Sequence, residues 1–386
     1  MRNGSAQIEV SLGFAKAQDV EPDQEREGML RARTVSLRTD PYEAFEFHSF
    51  PLQDLTRPDV EEPGLEQSGF QTIDLSGNAD LQKALAIVRA EDRLSDDAAA
   101  AVRDSLNGAH LPLSDGRTLR VEHVAQEGMI QRRAGPSRLD VNPGGMNGAN
   151  GHGGAAAIHA DQDVFGTPLK QMMKGAAPRL FRHQTPDGRN DDSSLFLLNL
   201  WIPIQQITRP LVLMDRRSLD AKQHQLRYGL PVTRFLERDE GKEVNDIWAF
   251  RPHPAQRWYF RSQMGPDQGY VFDTLGSPHG ACILPGEEAL AQLYENLDRA
   301  CHAVETADGD ALRNVAREPP PALPDPTTPP TRDAWHRMND LLREASTNPT
   351  DVCASGADWT ARARAAMDGV IRKSLEMRLV ATLTVP

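Results

Sequence analysis

Between residues 194 and 275 the chain carries four short runs dense in Leu, Val, Ile, Phe, Tyr and Trp: SLFLLNLWIPI (194–204), RPLVLMD (209–215), DIWAFRPHPAQRWYFRSQM (246–264) and QGYVFDTL (268–275). Pro, Gly, Asp and Asn bound each run. Aliphatic and aromatic segments punctuated in this way read as strands. Strands this closely spaced leave little room for the crossover helices of βαβ units. The runs therefore predict a strand-rich sandwich or barrel. Upstream, Thr118, Arg120, Glu122 and His123 mix with Leu119, Val121 and Val124 in near alternation, which predicts a further strand.

The remaining segments read as additions to this block. Residues 1 to about 70 are charged, irregular and broken by prolines at 22, 41, 51, 58 and 63, as expected of a mobile end and an extended arm. Over residues 77–106 the signals are helical: Asn78 or Asp80 caps a segment with Leu81, Leu85 and Val88 on one face, and Ser95 caps Asp96–Leu106. After Pro285, GEEALAQLYENLDRACHAV places apolar residues at 290, 293, 297 and 301 behind an acidic first turn. A polyproline-like linker, EPPPALPDPTTPPT, spans 318–331, and two more helices are expected near 332–345 and 357–378. The chain of 386 residues, long enough for two or three domains of roughly 150, thus divides into an N-terminal arm with helices (1–110), a strand-rich core (111–285) and a helical C-terminal extension (286–386).

Charge and cysteine content narrow the function classes. With 43 basic against 55 acidic residues the net charge is −12, which argues against nucleic acid or an anionic membrane as partner. Only seven of the basic residues are lysines; the arginine fork suits carboxylate or phosphate ligands in a local pocket. Cys282, Cys301 and Cys353 are too few and too scattered for a disulfide framework or a four-thiolate zinc site. No stretch approaches the ~18 consecutive apolar residues of a bilayer span, and the first residues lack an unbroken apolar signal core. A cytoplasmic protein is expected.

Two motifs bear on chemistry. The glycine-rich segment NPGGMNGANGHGG (142–154) does not give GxGxxG and no GK[ST] follows, so it reads as a flexible active-site loop or as disorder. GxSxG and HExxH are absent. The sharper feature is His159-Ala160-Asp161. In a strand, residues i and i+2 point to one face, so an imidazole and a carboxylate can bind one metal ion from one strand end. A second histidine from another strand would complete the two-histidine, one-carboxylate set that leaves one face of the metal open. His279, about 120 residues downstream in TLGSPHGA, His253 in RPHPAQRW, His183 and His152 are the available partners. A surface histidine beside a turn aspartate is the competing reading, because composition alone yields about one or two such short matches.

The succession IHADQ, LLNLWIPI, RPLVLMDRRSLD and QRWYFRSQMGPDQGYVFDTLGSPHGA resembles the gibberellin desaturase-like and cephem methoxylase-like family, the CmcJ/NvfI-like oxidoreductases, over roughly residues 155–285. The resemblance implies a mainly β fold with added helices around a double-stranded β-helix (jelly-roll, cupin-like) core. It implies iron(II) held by His159, Asp161 and His279, with 2-oxoglutarate as cosubstrate and O2 as oxidant. It implies hydroxylation or desaturation of a small-molecule natural-product intermediate. Asn199 and Trp201 would stand on a core strand near the site. Arg257, Trp258, Tyr259, Met264, Pro266 and Asp267 match a further block, and Gln162 would orient the neighbouring ligand. Members of such families carry an arginine soon after the distal histidine for the far carboxylate of 2-oxoglutarate. ACILPGEEALAQLYENLD has none before Arg299, which leaves Arg257, Arg217 and Arg261 as anchor candidates. A cupin-type metal enzyme without 2-oxoglutarate, a non-catalytic jelly-roll binding protein and a nucleotide-dependent enzyme using the glycine loop are the alternatives. A small molecule is the expected partner, and the oligomeric state stays open, a homodimer included.

Overall fold

The apolar runs at the centre of the chain are strands, and they are apolar on nearly every residue because both of their faces are buried. The computed structural model describes residues 7–34, 41–125, 128–142, 144–145, 147–161, 195–205, 208–231 and 244–384. Eight strands make the core: β1 (Ile130–Ala134), β2 (His159–Ala160), β3 (Leu195–Pro203), β4 (Leu211–Met214), β5 (Trp258–Phe260), β6 (Gln268–Asp273), β7 (His279–Ile283) and β8 (Arg372–Thr384). β1, β8, β3 and β6 are antiparallel neighbours in one sheet; β2, β7, β4 and β5 are antiparallel neighbours in the other. Following β1 to β4 and then β5 to β8, the chain passes from one sheet to the other at each step. This is a double-stranded β-helix.

Side-chain alternation defines what each face does. On β3, Leu198, Leu200 and Ile202 pack outward against helices α1 (Ala79–Glu91) and α2 (Asp96–Leu106), with Leu81, Leu85, Val88 and Val102. The caps are side chains: Asn78 accepts from the Leu81 amide and Ser95 from the Ala98 amide. Trp201 faces inward and joins Leu211, Leu213, Tyr259, Tyr270 and Phe272, contributed by both sheets, in an apolar plug that fills one end of the barrel. Both sheets are widened by other segments. Phe70–Asp74 pairs with β6 and Thr118–Val124 with the second half of β8. Val244–Phe250 pairs with β2, and Glu46–Asp54 with β5.

The expected division at residue 285 does not describe the chain. A helix was expected near 357–378, yet Arg372–Thr384 is a strand in mid-sheet, in register with β3 from Leu195↔Thr382 to Pro203↔Ser374. Helices α3 (Glu287–Glu305), α4 (Gly309–Ala316), α5 (Pro329–Thr347), α6 (Pro349–Ala354) and α7 (Gly356–Asp368) are therefore an insertion between β7 and β8, with their own core around Leu293, Leu297, Met338 and Trp359. The arm is likewise part of the architecture: Ile8–Phe14 pairs along Glu46–Asp54 and touches β7. The proline-rich stretch is packed rather than a free linker. Thr331 is fully buried, and the Trp335 indole donates to the Pro321 carbonyl. Among the described residues no helix is long and apolar enough to cross a membrane.

Candidate metal centre

His159 stands on β2, Asp161 immediately follows that strand, and His279 opens β7; His159 and His279 are direct partners across the β2–β7 ladder. One ligand atom from each residue lies within 4.8 Å of the others. His159 Nε2 is 3.4 Å from Asp161 Oδ1, and His279 Nε2 is 3.9 Å from Asp161 Oδ2. Each imidazole is oriented from behind: His159 Nδ1 meets the Ala157 carbonyl at 2.9 Å and His279 Nδ1 the Ser277 carbonyl at 2.9 Å. A carbonyl oxygen only accepts, so Nδ1 carries the proton on both rings and Nε2 presents its lone pair inward. The His279 ring also packs on Phe272, with centroids 4.4 Å apart.

Asp161 is held as a carboxylate. The Asn199 side-chain amide donates to its Oδ2, and Arg378 Nη2 is 3.7 Å from the same oxygen. Thr274 Oγ1 donates to Asn199 Oδ1 at 2.9 Å, which fixes which end of the amide faces the aspartate. Burial alone would raise the Asp161 pKa, but the Arg378 guanidinium is the largest influence holding it well below the usual range. Burial, reinforced by His159, pushes His279 down to about 4 and keeps it neutral. Two imidazole nitrogens and one carboxylate are the donor set of a divalent transition-metal site.

A second group of residues shares the barrel interior. Along β8, Leu375, Met377 and Leu379 point outward into the core beneath α1 and α2. The alternate positions Arg372, Ser374, Glu376 and Arg378 are on the opposite, inward face. Arg372 is 1% exposed, and its Nε and Nη1 have no hydrogen-bond partner among the described residues; nor have Ser374 Oγ and Arg378 Nε. Burial, together with Arg209 and Arg132, pushes the Arg372 guanidinium down to about 9. Glu376 accepts from Arg132 Nε at 2.5 Å, and Arg132 Nη1 donates to the Gly153 carbonyl at 3.0 Å. Gly154 makes room for the cluster: a Cβ there would sit 2.9 Å from Arg372 Nη2.

Of the residues singled out in the sequence, the structure brings His159, Asp161, His279 and Asn199 together. It does not bring the three anchor candidates to them. Arg257 and Arg217 are half exposed and converge on the buried carboxylate of Asp215, at 2.9 and 2.8 Å. Arg261 bonds the Leu55 carbonyl at 3.3 Å and lies 3.7 Å from Glu62. Tyr259 belongs to the apolar plug and packs against Phe70. His253 pairs with His224, ring centroids 4.5 Å apart, and His152 bonds the Gly148 carbonyl. Gln162 and His183 lie outside the described residues. The glycine-rich segment is tied down where it is described: Asn150 bonds both the amide and the carbonyl of Leu94. The residues that the sequence reading passed over, Arg372, Ser374, Glu376 and Arg378, fell inside an expected helix. Polar–apolar alternation through SLEMRL (374–379) is the signal that marks the segment as a strand.

Comparison with known proteins adds a family. Solved structures of the iron and alpha-ketoglutarate-dependent endoperoxidase NvfI are similar to the chain at 14% identity and a TM-score of 0.48; one match covers 98% of this chain and 99% of that one, another 97% of each. No curated protein matches the chain. The family model described as oxidoreductase/YMDC permease-like domain matches residues 21–285, which is most of the chain and holds all three metal-facing residues. The chain belongs to the oxidoreductase/YMDC permease-like domain family.

Proposed function

We propose that the protein is an iron(II)/2-oxoglutarate-dependent oxygenase that hydroxylates or desaturates a small-molecule natural-product intermediate. One observation carries this reading: a His-Asp-His set and a buried arginine without a carboxylate partner among the described residues line the same barrel. An uncompensated buried cation is costly unless a ligand answers it. The interior donor set fits both groups. His159, Asp161 and His279 would hold the metal, and Arg372 with Ser374 would hold the remote carboxylate of the 2-oxo acid. When bound, the two supply dioxygen activation coupled to oxidative decarboxylation, chemistry that amino-acid side chains lack.

The chain's own contributions follow from the geometry. The carbonyls of Ala157 and Ser277 keep both Nδ1 protons in place and both Nε2 lone pairs inward. Asn199 and Arg378 keep Asp161 charged and oriented. The plug of Trp201, Leu213, Tyr270 and Phe272 excludes water from the closed end of the barrel, so electrostatic contacts above it act in a low-dielectric setting. In this reading the partner is a small molecule, with neither nucleic acid nor membrane involved, and the site of action is the cytoplasm.

The test is succinate release. Iron-loaded protein given 2-oxoglutarate and oxygen should form succinate, and His159→Ala and Arg372→Met should each abolish it. A metal-loaded, folded wild type that releases none would overturn the reading in favour of metal chemistry without 2-oxoglutarate.

A further inference from the structure

The inward face of the barrel carries three guanidinium groups, Arg132, Arg372 and Arg378, and two carboxylates, Asp161 and Glu376. The pairing among them is unequal. Arg378 faces Asp161 at 3.7 Å, and Arg132 is bound to Glu376 at 2.5 Å. Arg372 meets neither carboxylate in an ion pair. Strand register explains the layout. Arg132 lies opposite Ser374 across the β1–β8 ladder, and Arg372 lies opposite Ala134 on the same ladder. Two cations are thus held side by side next to one hydroxyl, and only one has an acidic partner. Glu376 is 6% exposed and lies opposite Trp201 on the other flank of β8, so solvent does little to screen it.

We propose that Glu376 sets the charge selectivity of this pocket: by neutralising Arg132 it leaves Arg372 as the one cation of the three without an acidic partner among the described residues, so the site takes a ligand with one remote carboxylate and turns away tricarboxylates. The inference rests on the proposed 2-oxoglutarate reading and deepens it. Pairing strength supports the role. A charge-assisted bond of this length inside a barrel is held firmly, so Arg132 is unavailable to a ligand while Glu376 is ionised. Burial works against that ionisation, but Arg132 outweighs it and keeps the Glu376 carboxyl below its usual range. Without the glutamate, Arg132 and Arg372 would together form a site for two remote carboxylates. Without Arg132, the glutamate would be left to face Arg372 and cancel it. The two single substitutions therefore act in opposite directions, which a merely structural ion pair would not do.

The experiment uses the full chain loaded with redox-inert Zn(II) and calorimetric titration with three probes: 2-oxoglutarate, glutarate and propane-1,2,3-tricarboxylate. Wild type should bind 2-oxoglutarate and prefer glutarate to the tricarboxylate. Glu376→Gln should shift that preference toward the tricarboxylate by on the order of tenfold or more. Arg132→Gln should weaken 2-oxoglutarate by at least about tenfold although Arg372 is intact. The double variant Arg132→Gln with Glu376→Gln should return the preference to the wild-type value. An unchanged preference in Glu376→Gln, or unchanged 2-oxoglutarate affinity in Arg132→Gln, overturns the proposal. Should Glu376→Gln not fold, the Arg132→Gln arm decides alone. A wild type that holds zinc but binds no 2-oxoglutarate sinks the proposed function itself, and this inference with it.

Discussion

Replacing Arg372 with leucine should make the ligand-free protein more stable and the ligand-bound protein less so. The guanidinium is 1% exposed, with two of its nitrogens unpartnered among the described residues, and burial beside Arg209 and Arg132 pushes it down to about 9. Each tenfold in proton affinity corresponds to ~1.4 kcal/mol, so the charged group burdens the fold by on the order of 5 kcal/mol. Burial depresses the folded value, so the unfolded chain holds the proton more tightly. The penalty is then present in full below about pH 9 and is relieved only as pH rises above it. At pH 7.5 a leucine removes the penalty but leaves a partly filled space, which costs about 2–3 kcal/mol. The net gain is about 2 kcal/mol, or a rise in Tm of roughly 2–3 °C for a chain of this length. In zinc-loaded protein, 2-oxoglutarate at a hundredfold over its Kd should add about 2.7 kcal/mol to the wild type and nothing to the variant. Thermal melts with and without ligand read both effects. A variant that melts below wild type while keeping the ligand-induced shift would show Arg372 to be a structural residue.

Four further outcomes are expected. Gly154→Ala places a methyl group 2.9 Å from Arg372 Nη2 and should raise the KM for 2-oxoglutarate by roughly tenfold, with zinc affinity unchanged. Asn199→Ala frees the Asp161 carboxylate and strands Thr274, and should weaken metal binding by about 10–100-fold in an equilibrium titration. Metal-free protein should lose stability as pH falls from 6.5 toward 4, because His279 stays neutral in the fold while the unfolded chain takes up the proton; His279→Gln should flatten that limb of the curve, measured by urea unfolding. Trp359→Ala, at the fully buried centre of the helical insertion, should cost about 3–5 kcal/mol of stability by the same measurement.

The strand block was legible because its residues are apolar on both faces and its turns are marked by Pro, Gly and Asp. The helices over 79–106 were legible because their caps are side chains written in the sequence, Asn78 and Ser95. His159 and Asp161 could be paired by strand periodicity alone, whereas joining His279 to them depended on the ladder that sets it opposite His159. The inward face of β8 was missed for a physical reason. Helix α7 runs directly into Gly369, Val370 and Ile371, and Arg372 to Leu379 contains residues such as Arg, Lys, Leu, Glu and Met that favour helices in isolation. Pairing with β3 overrides that preference. The three arginines first considered as anchors were plausible by position in sequence, but two of them share the acid at Asp215, which local sequence does not reveal as their common partner.

The helical insertion also bears on the order in which the barrel can assemble. β3 and β8 are long-range partners, and loop closure over so many residues slows their meeting. The intervening helices bury a core of their own around Trp359, and Gln205, Thr208 and Arg209 bond to the chain on both flanks of that unit. Gln205 Nε2 donates to the Asp368 and Ile371 carbonyls and Thr208 Oγ1 to that of Val370, while Arg209 Nε donates to the Cys282 carbonyl. A helical unit that folds early would take the stretch between β7 and β8 out of the effective loop and deliver β8 to its slot. Hydrogen exchange during refolding should then show protection in α3, α5 and α7 before β8; simultaneous protection would refute that order. On this account the helices act as a folding template, and damage to them would be felt first as slow formation of a site whose metal-facing residues stand on other elements.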